Sequence, residues 1–313
     1  EKKEELSEED RQKKEELELL AQRAQDPDEG VAKLALTTIV TELKTATSSM
    51  TSVPKPLKFL RPHYAALTEH YEKMNNPSLK PFFADVLSVL ATTMQKEGSR
   101  QSLKYRLEGT KEGKERLLAN LVCLLLVPLT SFGPTLPPPA RGFSFEGLTS
   151  WGHEYIRNIS GEISEEFKER TEKGADVKEL LDLVEEIVPF NMKHNAEVDA
   201  IDLLCEVDKV VKIEQLCEEA TFGRVCLYLQ GLSNFAATQA DKVVYLKVCC
   251  NLYVKFKEYP NALRIALKLN DSKLVTDVFA SCEDKLVKKQ MAFLISRRKF
   301  NHEFEDDDDD LKE

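Results

Sequence analysis

Apolar residues recur along this chain at spacings of three and four, the period of a helix with one face turned inward. Leu60, Tyr64, Leu67, Tyr71 and Met74 alternate steps of four and three, and Phe83, Val86, Leu87, Leu90 and Met94 continue the pattern. Trp151, Tyr155, Ile159, Ile163 and Phe167 step by fours; Leu180, Leu181, Val184, Ile187 and Val188 follow, up to Pro189, where that helix is expected to end. At the start, Ser7 before Glu8, Glu9 and Asp10 reads as an N-cap with acidic residues in the first turn. The helix it opens carries a narrow stripe of Leu17, Leu20 and Ala24 and is expected to stop at Pro27 and Gly30. A second helix runs through Leu34, Ala35, Leu36, Ile39 and Leu43, and Pro54 and Pro56 then call for an extended connection. No window sustains the two-residue alternation of a strand, so no sheet is expected.

From about Glu218 the predicted helices become short and paired. Val225, Cys226, Leu229 and Leu232 form one stripe, and Tyr245, Cys249, Leu252 and Phe256 the next. Pro260 suits the first position of a helix through Leu263, Ala266, Leu267 and Leu269. Asp271 reads as the N-cap of another, holding Leu274, Val275, Val278 and Phe279, and a last one carries Leu286, Met291 and Leu294. Helices of this length joined by turns of a few residues build α-solenoids. The expected fold is therefore all-α, antiparallel helix pairs in a solenoid-like array. The acidic run Asp306–Asp310 cannot pack and is expected to be disordered.

Composition agrees: 31% of the 313 residues are charged, and there are only 12 Gly and 13 Pro. The net charge of −10, with Lys and Arg interleaved among Glu and Asp, points away from a nucleic-acid partner. The cluster Arg297, Arg298 and Lys299 sits just before the aspartate run. Seven cysteines, Cys123, Cys205, Cys217, Cys226, Cys249, Cys250 and Cys282, include no C-x-x-C pair and mostly lie in apolar helical stripes. They read as reduced core residues of a cytoplasmic or nuclear protein. A chain opening on Glu1 reads as a fragment or a processed product, with no signal peptide at its start. The longest apolar stretch, Leu117 to Leu129, falls short of the ~20 residues needed to span a bilayer.

Chemistry-bearing patterns are incomplete. His153-Glu154 begins like a zinc-binding H-E-x-x-H, but Arg157 stands where the second histidine belongs. His63, His70, His194 and His302 are scattered, which suits surface or satisfied core positions better than metal ligands. Gly113-Lys114 resembles the end of a phosphate loop, yet Glu115 replaces the Ser or Thr and the glycine spacing is wrong. Cys249-Cys250 would need a base and an orienting group from elsewhere to act as a nucleophile; two small core residues is the simpler reading. Glu185-Glu186 and Glu218-Glu219 read as solvated helix faces. Tyr64, Tyr71, Phe83, Trp151 and Tyr155 could form a recognition surface, though helical spacing favours core packing. No catalytic, cofactor-binding or metal-binding residue is predicted, and the partner-binding surface is not readable from one sequence.

Several long strings carry a resemblance. Thr47-Ser-Ser-Met-Thr-Ser-Val-Pro-Lys-Pro-Leu-Lys-Phe-Leu-Arg-Pro-His-Tyr64 is similar to the N-terminal region of the non-ATPase regulatory subunit 2 family, the large scaffold of the 26S proteasome regulatory particle base. Ser150-Trp-Gly-His-Glu-Tyr-Ile-Arg157, Glu186–Glu197, Val225–Leu229, Tyr259–Asp271 and Lys288–Phe293 continue it in order. The resemblance implies a non-catalytic scaffold that sits on the proteasomal ATPase subunits and contacts other regulatory-particle subunits. Family members also dock ubiquitin, ubiquitin-like shuttle receptors and a deubiquitinase, through a toroid of helical repeats that follows this region. That toroid is missing from these 313 residues, so no ubiquitin-binding residue is carried over.

One block departs from the family. Tyr105–Glu112 and Gly147–Trp151 run directly together there, whereas here Gly113 to Glu146 intervene, rich in Leu, Pro and Phe and poor in charge. Gly113-Lys114 can be encoded by a splice-donor sequence and Phe143-Ser-Phe145 by a pyrimidine tract, so a translated intron is one reading and a lineage-specific loop the other. The expected organisation is charged helices over 1–46, one helical scaffold domain over 47–112 and 147–300, the anomalous block 113–146, and an acidic tail over 301–313. The expected function is a proteasomal scaffold in cytoplasm and nucleus, with no cofactor, no nucleic acid and no membrane. A generic helical-repeat adaptor in trafficking or transport is the alternative, and a cysteine-dependent hydrolase a third.

Overall fold

A computed structural model describes residues 7–47, 54–94, 98–111 and 147–298. The block 113–146, with Gly113, Lys114 and Cys123, lies outside the described residues, as do His302 and the acidic tail. Every regular element among the described residues is a helix. They are α1 (Glu8–Arg23), α2 (Glu29–Thr47), α3 (Lys55–Leu60), α4 (Tyr64–Lys73), α5 (Lys80–Ala91), α6 (101–111), α7 (His153–Glu172), α8 (Lys178–Lys193), α9 (Glu197–Glu206), α10 (Ile213–Leu216), α11 (Phe222–Leu232), α12 (Gln239–Lys255), α13 (Tyr259–Leu269), α14 (Ser272–Ala280) and α15 (Lys285–Arg297). They form two compact units that divide between Leu180 and Leu181.

In the first unit, α1 and α2 pack on α3, and α2 reaches α5. Ser7 caps α1 by accepting from the Asp10 amide at 3.2 Å. Leu17, Leu20 and Ala24 are buried, as the stripe predicts. Gly30 does not stop α1: it lies in the first turn of α2, where Asp28 accepts from its amide at 2.7 Å. The stop belongs to the turn around Pro27, and Asp28 restarts the helix by satisfying open N–H groups. Helix α5 is buried all round, from Pro81 to Ala91, the mark of a helix with neighbours on every side. Tyr64 and Tyr71 on α4 donate to Gln101 (2.6 Å) and Glu108 (3.1 Å) on α6, so α4 and α6 run parallel.

Two breaks in the sequence pattern are not helix ends or starts where periodicity placed them. Trp151 closes a short 3-10 turn (Leu148–Trp151), and Gly152, at φ +87°, separates it from α7. The step of four from Trp151 to Tyr155 thus crosses a change of direction that only glycine makes without strain. Pro189 does not end α8, which continues to Lys193. Proline removes one amide donor from the helix interior, yet the helix runs on into a turn where Met192 is buried.

In the second unit, α12, α13, α14 and α15 follow one another through turns of two to four residues, and α12–α13 and α13–α14 are packed pairs. Leu246, Cys250, Leu263, Ile265, Ala266, Val275, Val278, Phe279, Met291 and Ile295 share one core. The turns have legible chemistry. Thr238 and Asp241 form a reciprocal capping box on α12. Pro260 sits in the first turn of α13, and Asn270 ends it in the left-handed conformation. Asp271 then caps α14 by accepting from the Leu274 amide at 3.1 Å.

Candidate functional site

The residues that could carry catalysis stand apart from one another. Cys249 and Cys250 are fully buried in α12. The Cys249 thiol lies 3.6 Å from the Cys226 carbonyl on α11, and the Cys226 thiol lies 3.9 Å from the Cys249 carbonyl. The Cys250 thiol faces the Ala262 carbonyl at 3.5 Å. The thiol contact with Cys226 together with burial raises the Cys249 pKa, and burial pushes Cys250 up to about 12. Their thiolates, the nucleophilic form, are suppressed at neutral pH. Burial likewise pushes Cys205 and Cys217 up to about 11. All six cysteines among the described residues are free thiols.

The histidines are equally dispersed. His153, Glu154 and Arg157 are exposed on α7. His63 lies 3.9 Å from Glu18, His70 tilts against the Phe83 ring at 5.7 Å, and His194 Nδ1 sits 2.8 Å from the Phe190 carbonyl. Among the described residues, no group of three or more His, Cys, Asp or Glu side chains could hold a metal ion. Glu185, Glu186, Glu218 and Glu219 are exposed, and Glu185 pairs with Lys212 at 2.6 Å. Tyr64, Tyr71, Phe83, Trp151 and Tyr155 are all buried, so they belong to the core and present no recognition surface.

Sequence reasoning did not find a buried polar seam that ties α5, α6 and α7 together. Asp85 and Arg106 pair at 2.9 Å, both closed to solvent. Ser88 donates to the Ser102 carbonyl at 2.6 Å, which uses its proton; the Tyr155 hydroxyl, 2.6 Å away, therefore donates to Ser88. Glu162 accepts from the Leu103 amide at 2.7 Å and from Asn158 at 3.1 Å. Outside this seam, Arg100 bridges Glu166 and Glu169 of α7. Every member fixes a helix against a neighbour, and none is presented to a substrate. An Asp or Arg inside an apolar helical stripe was the available signal, since such residues are buried only when paired.

What the surface does offer is apolar relief. In the second unit, Val184, Val188, Pro189, Leu204 and Leu216 line a groove of about 330 Å³, with the Glu185–Lys212 pair on its wall. A shallower hollow on α13 and α15 is lined by Pro260, Lys289, Gln290, Phe293 and Leu294. Phe235, Leu227, Leu286 and Phe293 are each more than two-thirds exposed. Of these, Phe293 lines the α13–α15 hollow, and an apolar group exposed at such a hollow suits protein–protein contact better than chemistry.

The fold and this surface define an all-α protein of packed helix pairs, without an assembled catalytic set among the described residues. The chain belongs to the family described as RPN1 N-terminal domain, whose model matches residues 17–120 and 141–313. The match is interrupted over 121–140, inside the block 113–146. It is 41% identical to the 26S proteasome non-ATPase regulatory subunit 2 homolog A of Arabidopsis thaliana, over 97% of this chain and 30% of that protein. The 26S proteasome non-ATPase regulatory subunit 2 of Dictyostelium discoideum is 41% identical over 94% of this chain and 29% of its own. The 26S proteasome regulatory subunit rpn-1 of Neurospora crassa is 38% identical over 98% and 30%. The chain thus spans about 30% of the length of these relatives. No described helix is long and apolar enough to cross a membrane.

Proposed function

We propose that this chain is a non-catalytic scaffold segment of the 26S proteasome regulatory particle base, acting in cytoplasm and nucleus. The observation that carries the reading is 41% identity, over nearly its whole length, to a protein named as a proteasomal regulatory subunit. Two features support it: suppressed, buried thiols and exposed apolar grooves. Its mechanism is positioning. Helix faces hold the ATPase subunits and neighbouring regulatory-particle subunits by complementarity, and no bond is made or broken. Docking of ubiquitin-like shuttle receptors and a deubiquitinase is assigned to a toroid outside these residues, so this chain alone should bind neither. The test is affinity capture from cell lysate with mass spectrometry of the recovered proteins. Enrichment of proteasomal ATPase subunits over a charge-matched helical control is the expected result. Their absence, with the captured chain folded, would overturn the reading.

The block 113–146 is proposed to be a translated intron and not a part of the domain. Its interruption of the family match over 121–140 supports this.

A further inference from the structure

The second unit carries a cleft of a different character from the two apolar hollows. It measures about 460 Å³ and is lined by Gln230, Tyr253, Asn261, Arg264, Lys268 and Arg298, with Ile265 and Leu267 at its base. Arg264 and Lys268 stand four residues apart on α13, which places them on one helix face. Arg298 joins them from the end of α15. All three cations are exposed, and none has a carboxylate partner among the described residues. No Asp or Glu lines the cleft, in a chain whose net charge is −10 and whose other basic residues are widely paired with acids.

The neutral groups are donors as well. Gln230 Nε2 donates to the Tyr253 hydroxyl at 3.1 Å, and that phenol also bonds the Cys226 side chain beneath the cleft. Asn261 Nδ2 donates to Glu258 at 3.1 Å, which leaves its second amide hydrogen for another acceptor. Three cations without a carboxylate partner among the described residues, with the spare Asn261 amide hydrogen beside them, call for an anion with several acceptor oxygens. A nucleic-acid backbone needs cations along an extended track; here they are confined to one short cleft on an acidic protein.

We propose that this cleft binds an acidic segment of a partner protein, its clustered Asp and Glu carboxylates pairing with Arg264, Lys268 and Arg298. Arg264 and Arg298 offer forked donors that suit carboxylates, and Lys268 supplies a point charge between turns of the same helix face. The binding is exposed to solvent, so it is screened by salt and weakens as ionic strength rises. This site stands independently of the proteasomal reading, since it rests on the geometry of α11, α12, α13 and α15 alone.

A fluorescein-labelled hexa-aspartate peptide, followed by fluorescence anisotropy with the whole chain, tests it. Saturable binding that weakens with salt is expected, and a hexa-asparagine peptide should not bind. Arg264→Glu with Lys268→Glu should weaken the affinity by about tenfold or more. Lys168→Glu with Lys209→Glu, exposed lysines that do not line the cleft, should leave it within about twofold. Circular dichroism establishes that both variants remain helical. Absence of binding, or equal loss in both variants, would overturn the proposal. A third chain carries Asn in place of Asp306–Asp310. Binding seen only with that chain would mean that its own acidic run fills the cleft, and the partner assignment would fall.

Discussion

The Arg106 guanidinium stands 2.9 Å from the Asp85 carboxylate, with both side chains closed to solvent between α5 and α6. A pair like this is weak support for stability as a whole, because taking two charges out of water costs about what their attraction returns. Removing one partner is another matter, since the survivor is left as an uncompensated buried charge. Arg106→Ala and Asp85→Ala should each lower stability by about 3–5 kcal/mol. The double substitution Asp85→Leu with Arg106→Met should cost far less than the sum. Denaturant titrations of the parent, the two alanine variants and the Asp85→Ala, Arg106→Ala double give the coupling directly, and additive losses would show that the two charges do not interact.

Glu169 carries a testable pH dependence. Hydrogen bonds from Lys173 and Arg100 hold its carboxyl down at about 2, from an ordinary value of 4.5. A carboxylate with a depressed folded-state pKa binds fewer protons folded than unfolded, so it adds stability at and above pH 4.5. That contribution is lost as pH falls from 4.5 towards 2. Glu169→Gln should therefore lower the melting temperature at pH 7 and flatten its decline over the acid range. Parallel melting curves for the two proteins at pH 7 and pH 3 check the sign. A difference that grew on acidification would contradict the assigned direction.

Much of the fold was legible because helical period, caps and breakers act locally. Ser7 and Asp271 sit where a side-chain oxygen can meet open amides, and both do so. The misreadings share a cause. Pro189 and the Trp151–Tyr155 step look decisive in a short window, yet the outcome is set by what packs there: buried Asn191 and Met192 beyond the proline, and a buried Trp151 held in its own turn before Gly152. The Asp85–Arg106 pair was invisible for a related reason. Its partners lie 21 residues apart on different helices, and nothing in either stripe names the other. The cationic cleft was hidden likewise, because Arg298 meets Arg264 and Lys268 only after α13 and α15 are folded together.

Buried thiols predict silence toward thiol reagents. Cys249 and Cys250 are fully closed off and hold their protons tightly, so a soluble disulfide reagent at pH 8 should label neither in the folded chain and both after denaturation. Cys249→Ala should cost about 1–2 kcal/mol through the lost sulfur and the small void it leaves. Capture of proteasomal ATPase subunits by the Cys249→Ala, Cys250→Ala chain should match that of the parent. A loss of capture with folding intact would restore the cysteines to a functional role.

Excising Gly113 to Glu146 should leave the helices on both sides undisturbed. α6 is described as far as residue 111, and the buried turn Leu148–Trp151 begins just after Gly147, so the described helices on either side are held by contacts outside the block. Their union is fixed by contacts that do not involve it: Leu103 with Glu162, Ser102 with Asn158, and Arg100 with Glu166 and Glu169. A chain with Glu112 joined to Gly147 should keep its helical circular dichroism and melt at least as high as the full chain. It should also be less prone to aggregate, because the run Leu121–Val127 is strongly apolar and uncharged. Transcript reads that join the Glu112 and Gly147 codons would establish the block as a retained intron. Reads that run continuously through it, with none joining the two codons, would make it genuine protein, and a lower melting temperature on excision would give it a structural role.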